Sequence, residues 1–396
     1  MKISRHVKNI TQSMTLALSA KAKLMKKNGI DVVGFGAGEP DFDTPEHIKI
    51  VAIEDIQKGV TKYTPASGTL ELKEAICKKF KRDNGLDYAP EQIIVSPGAK
   101  FSLYIAIFAL CDPGDEVIIP SPYWLTYPEQ VKAAGGTPVF IKTSIATEFK
   151  MTPEQLKKAI TPRASILILN SPSNPTGALY TREELAKIAE VILESNITVI
   201  SDEIYEFLVY DGEEFVSFPS LHPALKEKTI LVNGVSKTYS MTGWRIGYAA
   251  GPKEAISAMS RLQSHSTSNP TSFTQRASAA AILGDQSCVE KMRLAFDERR
   301  QYMVKRLSAI PGIQCATPKG AFYAFPNVKS RYGKKLAGKI VQGSMDLSNI
   351  LLEDFRVAVV PGLPFGDDEC IRLSYALSME DIKKGLDRIE EAFRSI

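Results

Sequence analysis

The segment 229–251, TILVNGVSKTYSMTGWRIGYAAG, contains two apolar runs separated by a loop rich in hydroxyl side chains. Apolar runs such as TILV and IGYAA are typical of strands that are covered on both faces of a sheet. The loop carries a single lysine, Lys237, and an arginine, Arg245, eight residues later. The segment therefore predicts two strands joined by a loop, with Lys237 as a candidate nucleophile and Arg245 as a candidate anion ligand. A solvated lysine is the ordinary alternative, because most lysines are exposed.

The region from about residue 90 to 250 alternates short apolar runs with helical patterns. One helix is predicted at 181–195, where Thr181 and Glu184 form a capping box before an apolar face. This alternation favours an α/β fold with a mostly parallel seven-stranded sheet flanked by helices. We assign residues 46–285 to this large domain. The predicted strands are QIIV (92–95), EVIIP (116–120), PVFI (138–141), SILIL (165–169), ITVIS (197–201), TILV (229–232) and IGYAA (246–250).

The C-terminal part has a different pattern, in which long helices enclose short strands. Together with a helix predicted near 14–28, it predicts a smaller α+β domain built from both chain ends, 1–45 and 286–396. The other predicted elements are helices at 288–309, near 345–354 and at 379–393, and strands in GAFYAFP (320–326), RVAVVP (356–361) and CIRLSYA (370–376).

The 396 residues carry a net charge of +4 at pH 7 and no block of like charges, which argues against nucleic acid as a partner. The five cysteines are scattered, and no His/Cys pair has metal-ligand spacing, so we expect reduced thiols and no metal. The N-terminal sequence MKISRHVKNITQS lacks the apolar core of a signal peptide, and no apolar run is long enough to span a membrane. We therefore expect a cytoplasmic protein without a membrane partner.

Polar residues follow several of the predicted strands. Ligands bind beyond the carboxyl ends of parallel strands, so these side chains are predicted to meet at one edge of the sheet. A helix start such as that of SPGAK also leaves backbone N–H groups free to bind an anion. Together these groups suit pyridoxal 5′-phosphate, which is held by a lysine Schiff base beside an acidic partner for its ring nitrogen. The residues are Gly98, Ala99 and Lys100 in SPGAK, Trp124 in SPYWLTY, Asn174 in NSPSNPTG, Asp202 and Tyr205 in SDEIY, and Lys237.

The chain resembles the class I (fold type I) aminotransferases over nearly its full length, and it most resembles the bacterial aspartate aminotransferase subgroup. The resemblance rests on motifs that occur in the order and with the spacing of the family, and the string around Lys237 is highly specific. The motifs are GAGEPDFDTP (36–45), KYTPASG (62–68), SPGAK (96–100), SPYW (121–124), NSPSNPTG (170–177), SDEIY (201–205), SKTYSMTGWRIGY (236–248) and CIRLSYA (370–376).

The resemblance implies roles around the ring of the cofactor. Lys237 would carry the Schiff base and, once freed, move the proton at the substrate α-carbon. Asp202 would keep the pyridine nitrogen protonated, while Tyr205 and Asn174 would hydrogen-bond the phenolic oxygen. Trp124 would stack on the ring, with packing in a core or an interface as its alternative.

Other residues would hold the phosphate of the cofactor. The resemblance assigns this role to Ser236, Arg245 and the backbone of Gly98 and Ala99. Tyr63 would reach the phosphate from a neighbouring subunit, which implies a homodimer with shared active sites. Without the resemblance, this tyrosine would pass as an ordinary loop residue.

The resemblance also implies contacts to the amino acid and 2-oxo acid substrates. Arg372 would bind the substrate α-carboxylate as a bidentate pair, and Gly38 would offer its backbone beside that carboxylate. The family tends to have cis peptide bonds before the prolines that correspond to Pro122 and Pro175.

The second carboxylate of aspartate or glutamate needs a cation of its own. One branch of the family supplies an arginine in the region that reads SHSTSNP (264–270) here, where there is none. The bacterial subgroup uses a lysine after the phosphate-loop glycine, and Lys100 fits this role; a second phosphate contact or a solvated lysine is the alternative. Supporting hydroxyls would come from Ser13 and Thr15, and from Ser266 or Thr267 of the partner subunit.

These residues predict a transaminase for aspartate and 2-oxoglutarate that forms oxaloacetate and glutamate by a ping-pong mechanism, with prephenate as a further substrate (arogenate formation). An aminotransferase with aromatic or broad specificity is one alternative. A carbon–sulfur lyase that uses the same cofactor is another, but it would not need Lys100 for a second carboxylate. A cofactor-binding regulatory protein is a third, and one catalytic fold of this length leaves no space for its DNA-binding segment.

Overall fold

The computed structural model of the chain describes residues 2, 8, 10, 11 and 14–394. Each of the seven predicted apolar runs lies in a strand, which confirms this part of the α/β prediction. The strands are β1 Val33–Gly34, β2 Ile93–Ser96, β3 Glu116–Ser121, β4 Thr137–Lys142, β5 Ala164–Asn170, β6 Thr198–Asp202, β7 Thr229–Gly234, β8 Gly247–Ala250, β9 Tyr323–Ala324, β10 Lys335–Leu336, β11 Lys339–Ile340, β12 Val357–Ala358, β13 Val360–Pro361 and β14 Ile371–Ser374.

The helix predicted at 181–195 is present, and its capping box forms as expected. The Thr181 side chain accepts from the Glu184 backbone N–H, and the Glu184 carboxylate accepts from the Thr181 N–H at 2.8 Å. The helices are α1 Met14–Lys27, α2 Glu46–Gln57, α3 Leu70–Asn84, α4 Ala99–Leu110, α5 Thr126–Ala134, α6 Pro153–Ala159, α7 Arg182–Leu193, α8 Pro223–Lys226, α9 Lys253–Ser264, α10 Ser272–Leu283, α11 Ser287–Ala309, α12 Ser344–Glu353 and α13 Met379–Arg394.

The large sheet joins strands in the order β2-β8-β7-β6-β5-β3-β4. Strand β8 is antiparallel to both of its neighbours, and the other pairs are parallel, as predicted for a mostly parallel sheet. Successive residues of β5 pack on opposite faces: Ile166 and Ile168 lie in a cluster with α4, whereas Leu167 and Leu169 lie in a cluster with α7. Helices on both faces explain why the strands read as continuous apolar runs.

The strand ends that carry polar residues lie side by side at one edge of this sheet. Asn170 at the end of β5 is opposite Asp202 at the end of β6, and Ser96 at the end of β2 is opposite Gly247. A Cβ atom at Gly247 would collide with the backbone nitrogen of Ala99. Only glycine therefore allows β8 to begin directly against the start of α4, next to the loop that follows β7.

A buried ion pair holds the segment that follows β6. Lys79 on α3 pairs with Glu206, and both side chains are almost completely buried. Asn84 and Asn233 donate from their side-chain amides to the two Glu206 oxygens at 2.9 and 2.6 Å. Removing one partner of a buried pair costs roughly 3–5 kcal/mol, so this network resists displacement. It fixes the position of Tyr205, the residue next to Glu206.

The two chain ends meet in a second group of strands. Strand β1 pairs in parallel with β12, and β13-β14-β9 form an antiparallel sheet. The predicted strand RVAVVP (356–361) is therefore split, because its first half pairs with β1 and its second half with β14. The apolar pattern reports burial but not the partner of each strand. The division into 46–285 and the two end segments, 1–45 and 286–396, stays a prediction.

The peptide bonds before Pro122 and Pro175 are cis, as expected, and the bond before Pro172 is also cis. All five cysteines have free thiols. Over the described part of the chain, no helix is both long and apolar enough to cross a membrane.

Candidate active site

A cavity of about 620 Å³ lies at the edge of the large sheet where the polar strand ends meet. Gly98 does not line it but directly precedes the lining residue Ala99, and most of the other residues predicted for the site line the cavity. The predicted residues that line the cavity are Gly38, Ala99, Lys100, Trp124, Asn174, Asp202, Tyr205, Ser236, Lys237, Arg245 and Arg372.

Lys237 projects into this cavity from the loop after β7, and its ammonium donates to the carbonyl oxygen of Gly38. Burial lowers the pKa of Lys237 to about 8; the Glu39 carboxylate opposes this shift and the Arg372 charge adds to it. Among the described residues, no carboxylate forms an ion pair with Lys237. A fraction of the side chain is therefore the free amine at neutral pH, which is the form that acts as a nucleophile or a base.

Asp202 ends β6 and is 3% exposed. The Tyr127 hydroxyl donates to Asp202 Oδ2 at 2.7 Å, and the Ile204 backbone N–H donates to Oδ1 at 3.3 Å. Burial raises the pKa of Asp202 to about 6, and these hydrogen bonds and the Lys237 charge limit the rise. The carboxylate is therefore mostly ionised at pH 7, so it offers a buried negative charge to a cationic group in the cavity.

The hydroxyl groups of two buried tyrosines meet beside the cavity. Tyr205 Oη and Tyr323 Oη are 2.9 Å apart, and burial raises the pKa of both residues, so both remain neutral. The guanidinium of Arg372 lies over the Tyr323 ring, 4.5 Å from its centroid. Tyr323 therefore connects a predicted cofactor contact, Tyr205, with a predicted substrate contact, Arg372.

The start of α4 forms an anion-binding cradle. Among the described residues, the backbone N–H groups of Ala99 and Lys100 have no hydrogen-bond acceptor, and a helix N-terminus favours negative charge. Gly98 has a φ of 90°, and a Cβ atom there would collide with the Arg245 guanidinium. Among the described residues, the acceptors of the Arg245 guanidinium are two backbone carbonyl oxygens, at 2.9 and 3.2 Å. With the Ser236 side chain on the same cavity, this cradle fits a phosphate group.

Arg372 lies on β14 and is 5% exposed. Its Nη1 donates to Asn174 Oδ1 at 2.9 Å and its Nη2 to the Gly36 carbonyl at 3.1 Å, while its Nε is buried without a partner. In the described structure no carboxylate pairs with it, and burial lowers the pKa of Arg372. Because an uncompensated buried charge is costly, this arginine is suited to bind a carboxylate from outside the chain.

Lys100 lies at the mouth of the cavity, where it remains exposed to solvent. Its ammonium lies over the Trp124 ring, 4.9 Å from the centroid. Although the side chain is exposed, partial desolvation by the surrounding groups and the neighbouring Arg245 charge lower the pKa of Lys100. Lys23 and Lys26 of α1 line the same outer part, so the entrance favours anions.

Some predicted residues lie away from the cavity or outside the described residues. Tyr63 is 90% exposed, Ser266 and Thr267 are also exposed, and none of these three lines the cavity. Their predicted roles require a second subunit and stay predictions. Ser13 lies outside the described residues, and so does the side chain of Thr15, although its backbone belongs to α1.

The sequence analysis missed residues that line the cavity or hold its walls. Tyr127 follows Trp124 by three residues, across the start of α5, and this closeness to a predicted site residue is the signal that could have identified it. Asn170 donates to the Asp202 carbonyl and accepts from the Asn174 N–H, both at 2.9 Å. Tyr323 was assigned only to a strand, and no local pattern indicates that its hydroxyl reaches a residue on another segment.

Comparison with known proteins identifies the family. Residues 30–389 match the family described as "Aminotransferase class I and II". The aspartate aminotransferase of Geobacillus stearothermophilus is 53% identical over 389 residues, 98% of each chain. The aspartate/prephenate aminotransferase of Nitrosomonas europaea is 48% identical over 98% of this chain and 99% of its own. The crystal structure of the aspartate aminotransferase from Rhizobium meliloti matches with a TM-score of 0.96 at 46% identity, covering 100% of this chain and 99% of that chain.

These matches extend over the same residues that form the sheet, the cavity and its lining. The family implies pyridoxal phosphate as the cofactor, in agreement with the cradle, the buried carboxylate and the low-pKa lysine. The chain therefore belongs to the class I and II aminotransferases.

Proposed function

We propose that the protein transfers the amino group of aspartate to 2-oxoglutarate, forming oxaloacetate and glutamate in the two half-reactions of a ping-pong cycle. The observation that carries this proposal is a pair of cations without carboxylate partners in the described structure, Lys237 and Arg372, that face one cavity. The name of the Geobacillus relative, 53% identical over 98% of both chains, supports aspartate as the amino donor.

The cavity residues fit the four polar groups of pyridoxal 5′-phosphate, which are its carbonyl, ring nitrogen, phenolic oxygen and phosphate. Because its pKa is low, the Lys237 Nζ can bond covalently to the carbonyl carbon of the cofactor. The Asp202 carboxylate can pair with the protonated ring nitrogen of the cofactor. The phosphate would bind in the cradle at the start of α4. The proposed ligands are Lys237 for the carbonyl carbon, Asp202 for the ring nitrogen, Tyr205 and Asn174 for the phenolic oxygen, Trp124 for the ring face, and Gly98, Ala99, Ser236 and Arg245 for the phosphate.

The residues of the chain then have separable tasks. When bound, pyridoxal phosphate supplies an electron sink for the electron pair left on the substrate α-carbon when its proton is removed. Arg372 binds the α-carboxylate of the substrate, and its Nε already lacks a partner among the described residues. Lys237 Nζ, which has a pKa of about 8 before the cofactor binds, is the base that takes up the α-proton. Asp202 provides the negative charge that stabilises a protonated ring nitrogen.

Lys100 is the proposed partner of the second carboxylate of the substrate. It lies on the same cavity as Arg372, and its ammonium faces no carboxylate of the described residues closely enough to form an ion pair. Thr15 and Ser13 are proposed to assist from the N-terminal segment, and Ser266 or Thr267 of the partner subunit from the other side. Because lysine is a point charge on a flexible stem, it can serve dicarboxylates of different shape.

Prephenate is a further proposed substrate, because it also carries two carboxylates. The name of the Nitrosomonas relative, an aspartate/prephenate aminotransferase that is 48% identical, supports this extension. The cavity of about 620 Å³ falls within the size range of sites that bind drug-sized ligands. We also propose the cytoplasm as the location, which agrees with free thiols at all five cysteines.

A homodimer with shared active sites is proposed for two reasons. Tyr63, whose predicted partner is the phosphate, is 90% exposed in the single chain. Helix α2 next to it exposes Ile50, Ile53 and Ile56, each about half exposed, along one face. Contiguous exposed apolar residues of this kind mark protein–protein interfaces, and a second copy of the chain would cover them while delivering Tyr63 to its site.

The first prediction concerns Lys237. The purified protein should bind pyridoxal phosphate with visible absorbance, and Lys237→Ala should lower the transamination rate at least about a hundredfold, because no other base replaces its Nζ. The exposed lysine at the start of α9 gives a control variant, Lys253→Ala, which should retain the rate. A colourless protein that takes up no pyridoxal phosphate would contradict the proposed function.

The second prediction concerns the distal carboxylate. Lys100→Ala should lower kcat/KM for aspartate about tenfold or more relative to its effect on alanine, because only aspartate loses a charge-assisted hydrogen bond. Both donors are measured with the same 2-oxo acid, and phenylalanine serves as a second monocarboxylic control. Equal losses with all donors would show instead that Lys100 serves the phosphate or the fold.

The third prediction concerns the shared sites. Tyr63→Ala and Lys237→Ala homodimers should each have low activity, whereas a mixture that exchanges subunits should regain activity. Each mixed dimer contains one site with both substitutions and one with neither. Subunit exchange is followed independently with a mass tag on one variant. Exchange without recovery of activity would contradict a site that is shared between subunits.

A further inference from the structure

Among the described residues, the hydroxyl of Tyr127 makes the shorter of the two hydrogen bonds to the Asp202 carboxylate. Its Oη lies 2.7 Å from Asp202 Oδ2, and both residues are buried, at 2% and 3% exposed. Burial raises the pKa of Tyr127 well above its ordinary value, so this hydroxyl stays protonated and donates to the carboxylate. A hydrogen bond from a neutral donor to a buried anion is stronger than one between neutral groups.

We propose that Tyr127 is a positioning residue that holds the Asp202 carboxylate in its ionised form and aims it at the cofactor. The inference rests on the proposed function, because it assigns to Asp202 the ring nitrogen of pyridoxal phosphate. Tyr127 would act only through Asp202, and it would touch neither the substrate nor the reacting atoms.

The surroundings of Asp202 show why such a donor is needed. The charged and titratable groups that face it are Lys237, Tyr127 and Tyr205. Burial favours the neutral acid, and the Tyr127 hydrogen bond is the largest of the contributions that favour the carboxylate. The contact from the Ile204 N–H is longer, at 3.3 Å, and is therefore weaker. Without the hydroxyl, the carboxyl group would keep its proton to higher pH.

The position of Tyr127 also fixes the geometry of the contact. Its ring packs edge-on against Trp124, with centroids 5.4 Å apart, and its backbone N–H donates to the Trp124 carbonyl at 3.0 Å. The segment that leads into α5 therefore supplies the proposed ring-stacking group, Trp124, and the first turn of α5 supplies the donor to Asp202. An ordinary core tyrosine would need only some acceptor, whereas this hydroxyl donates to the buried carboxylate of Asp202, which lines the cavity.

The test compares Tyr127→Phe with a matched control, Tyr180→Phe. Tyr180 is also buried, and its hydroxyl oxygen accepts a hydrogen bond of 2.7 Å from the Met151 backbone N–H, but it does not line the cavity. The measurements are the dissociation constant of pyridoxal phosphate from the apoprotein and the pH midpoint of the visible absorbance of the holoenzyme. The thermal midpoint of each apoprotein reports any general loss of stability.

Tyr127→Phe should weaken cofactor binding about tenfold or more, and it should raise the absorbance midpoint by about one pH unit. The midpoint rises because a ring nitrogen that is protonated to a smaller extent withdraws less electron density. The Lys237 nitrogen that is bonded to the cofactor would therefore keep its proton to higher pH. Tyr180→Phe should change neither quantity. Tyr127→His, which restores an N–H donor at this place, should recover part of the affinity. In an Asp202→Asn background, Tyr127→Phe should add no further loss.

Several results would overturn the proposal. One is a Tyr127→Phe variant that keeps the wild-type affinity for pyridoxal phosphate and the wild-type absorbance midpoint. A second is a loss of affinity from Tyr127→Phe that is as large in the Asp202→Asn background as in the wild type. A third is a Tyr180→Phe variant that changes both quantities as much as Tyr127→Phe does. If neither Tyr127→Phe nor Tyr127→His folds, the role of the residue is structural and the proposal is wrong. Failure of the unmodified protein to bind pyridoxal phosphate would instead contradict the proposed function itself, and this inference with it.

Discussion

Two cations without carboxylate partners in the described structure, Lys237 and Arg372, are the constraint on which the site depends. Withdrawing a charge from water without pairing it costs several kcal/mol, so such groups need compensation. Lys237 responds with a pKa lowered to about 8, which makes the free amine accessible. Arg372 cannot release its proton at physiological pH, so its compensation comes from neutral oxygen acceptors and, we infer, from the substrate carboxylate. Loss of contact with water thus makes Lys237 suited to act as a base and makes Arg372 suited to bind an anion.

The fold brings Asn170, Asp202 and the Lys237 loop to one edge of the large sheet, and Arg372 reaches the same cavity from β14. Parallel strands deliver Asn170 and Asp202 side by side, and the close approach allowed by Gly247 brings the start of α4 against the Lys237 loop. The buried Lys79–Glu206 pair then fixes the segment that follows Asp202. The cations Lys237, Arg245 and Arg372 and the buried negative charge of Asp202 therefore line the same cavity.

Much of this arrangement could be predicted from the sequence, for physical reasons. Strands covered on both faces give continuous apolar runs, so all seven strands of the large sheet could be found. Polar residues at strand ends, such as Asp202, follow from the edge rule for parallel sheets. By contrast, the split of RVAVVP (356–361) depends on which strands pair, and the Tyr127–Asp202 bond joins residues 75 positions apart. The proposed role of Tyr63 depends on a second subunit, which no pattern within one chain can place.

We infer that Lys237, and no other lysine of the chain, bonds covalently to the cofactor. Its most direct test is reduction of the holoenzyme with sodium borohydride, followed by proteolysis and mass spectrometry of the peptides. The account predicts that the mass of the reduced cofactor is found on the peptide that contains Lys237, and that the reduced protein is inactive. Attachment at another cavity lysine, such as Lys100, or no stable attachment after reduction of a coloured holoenzyme, would contradict it.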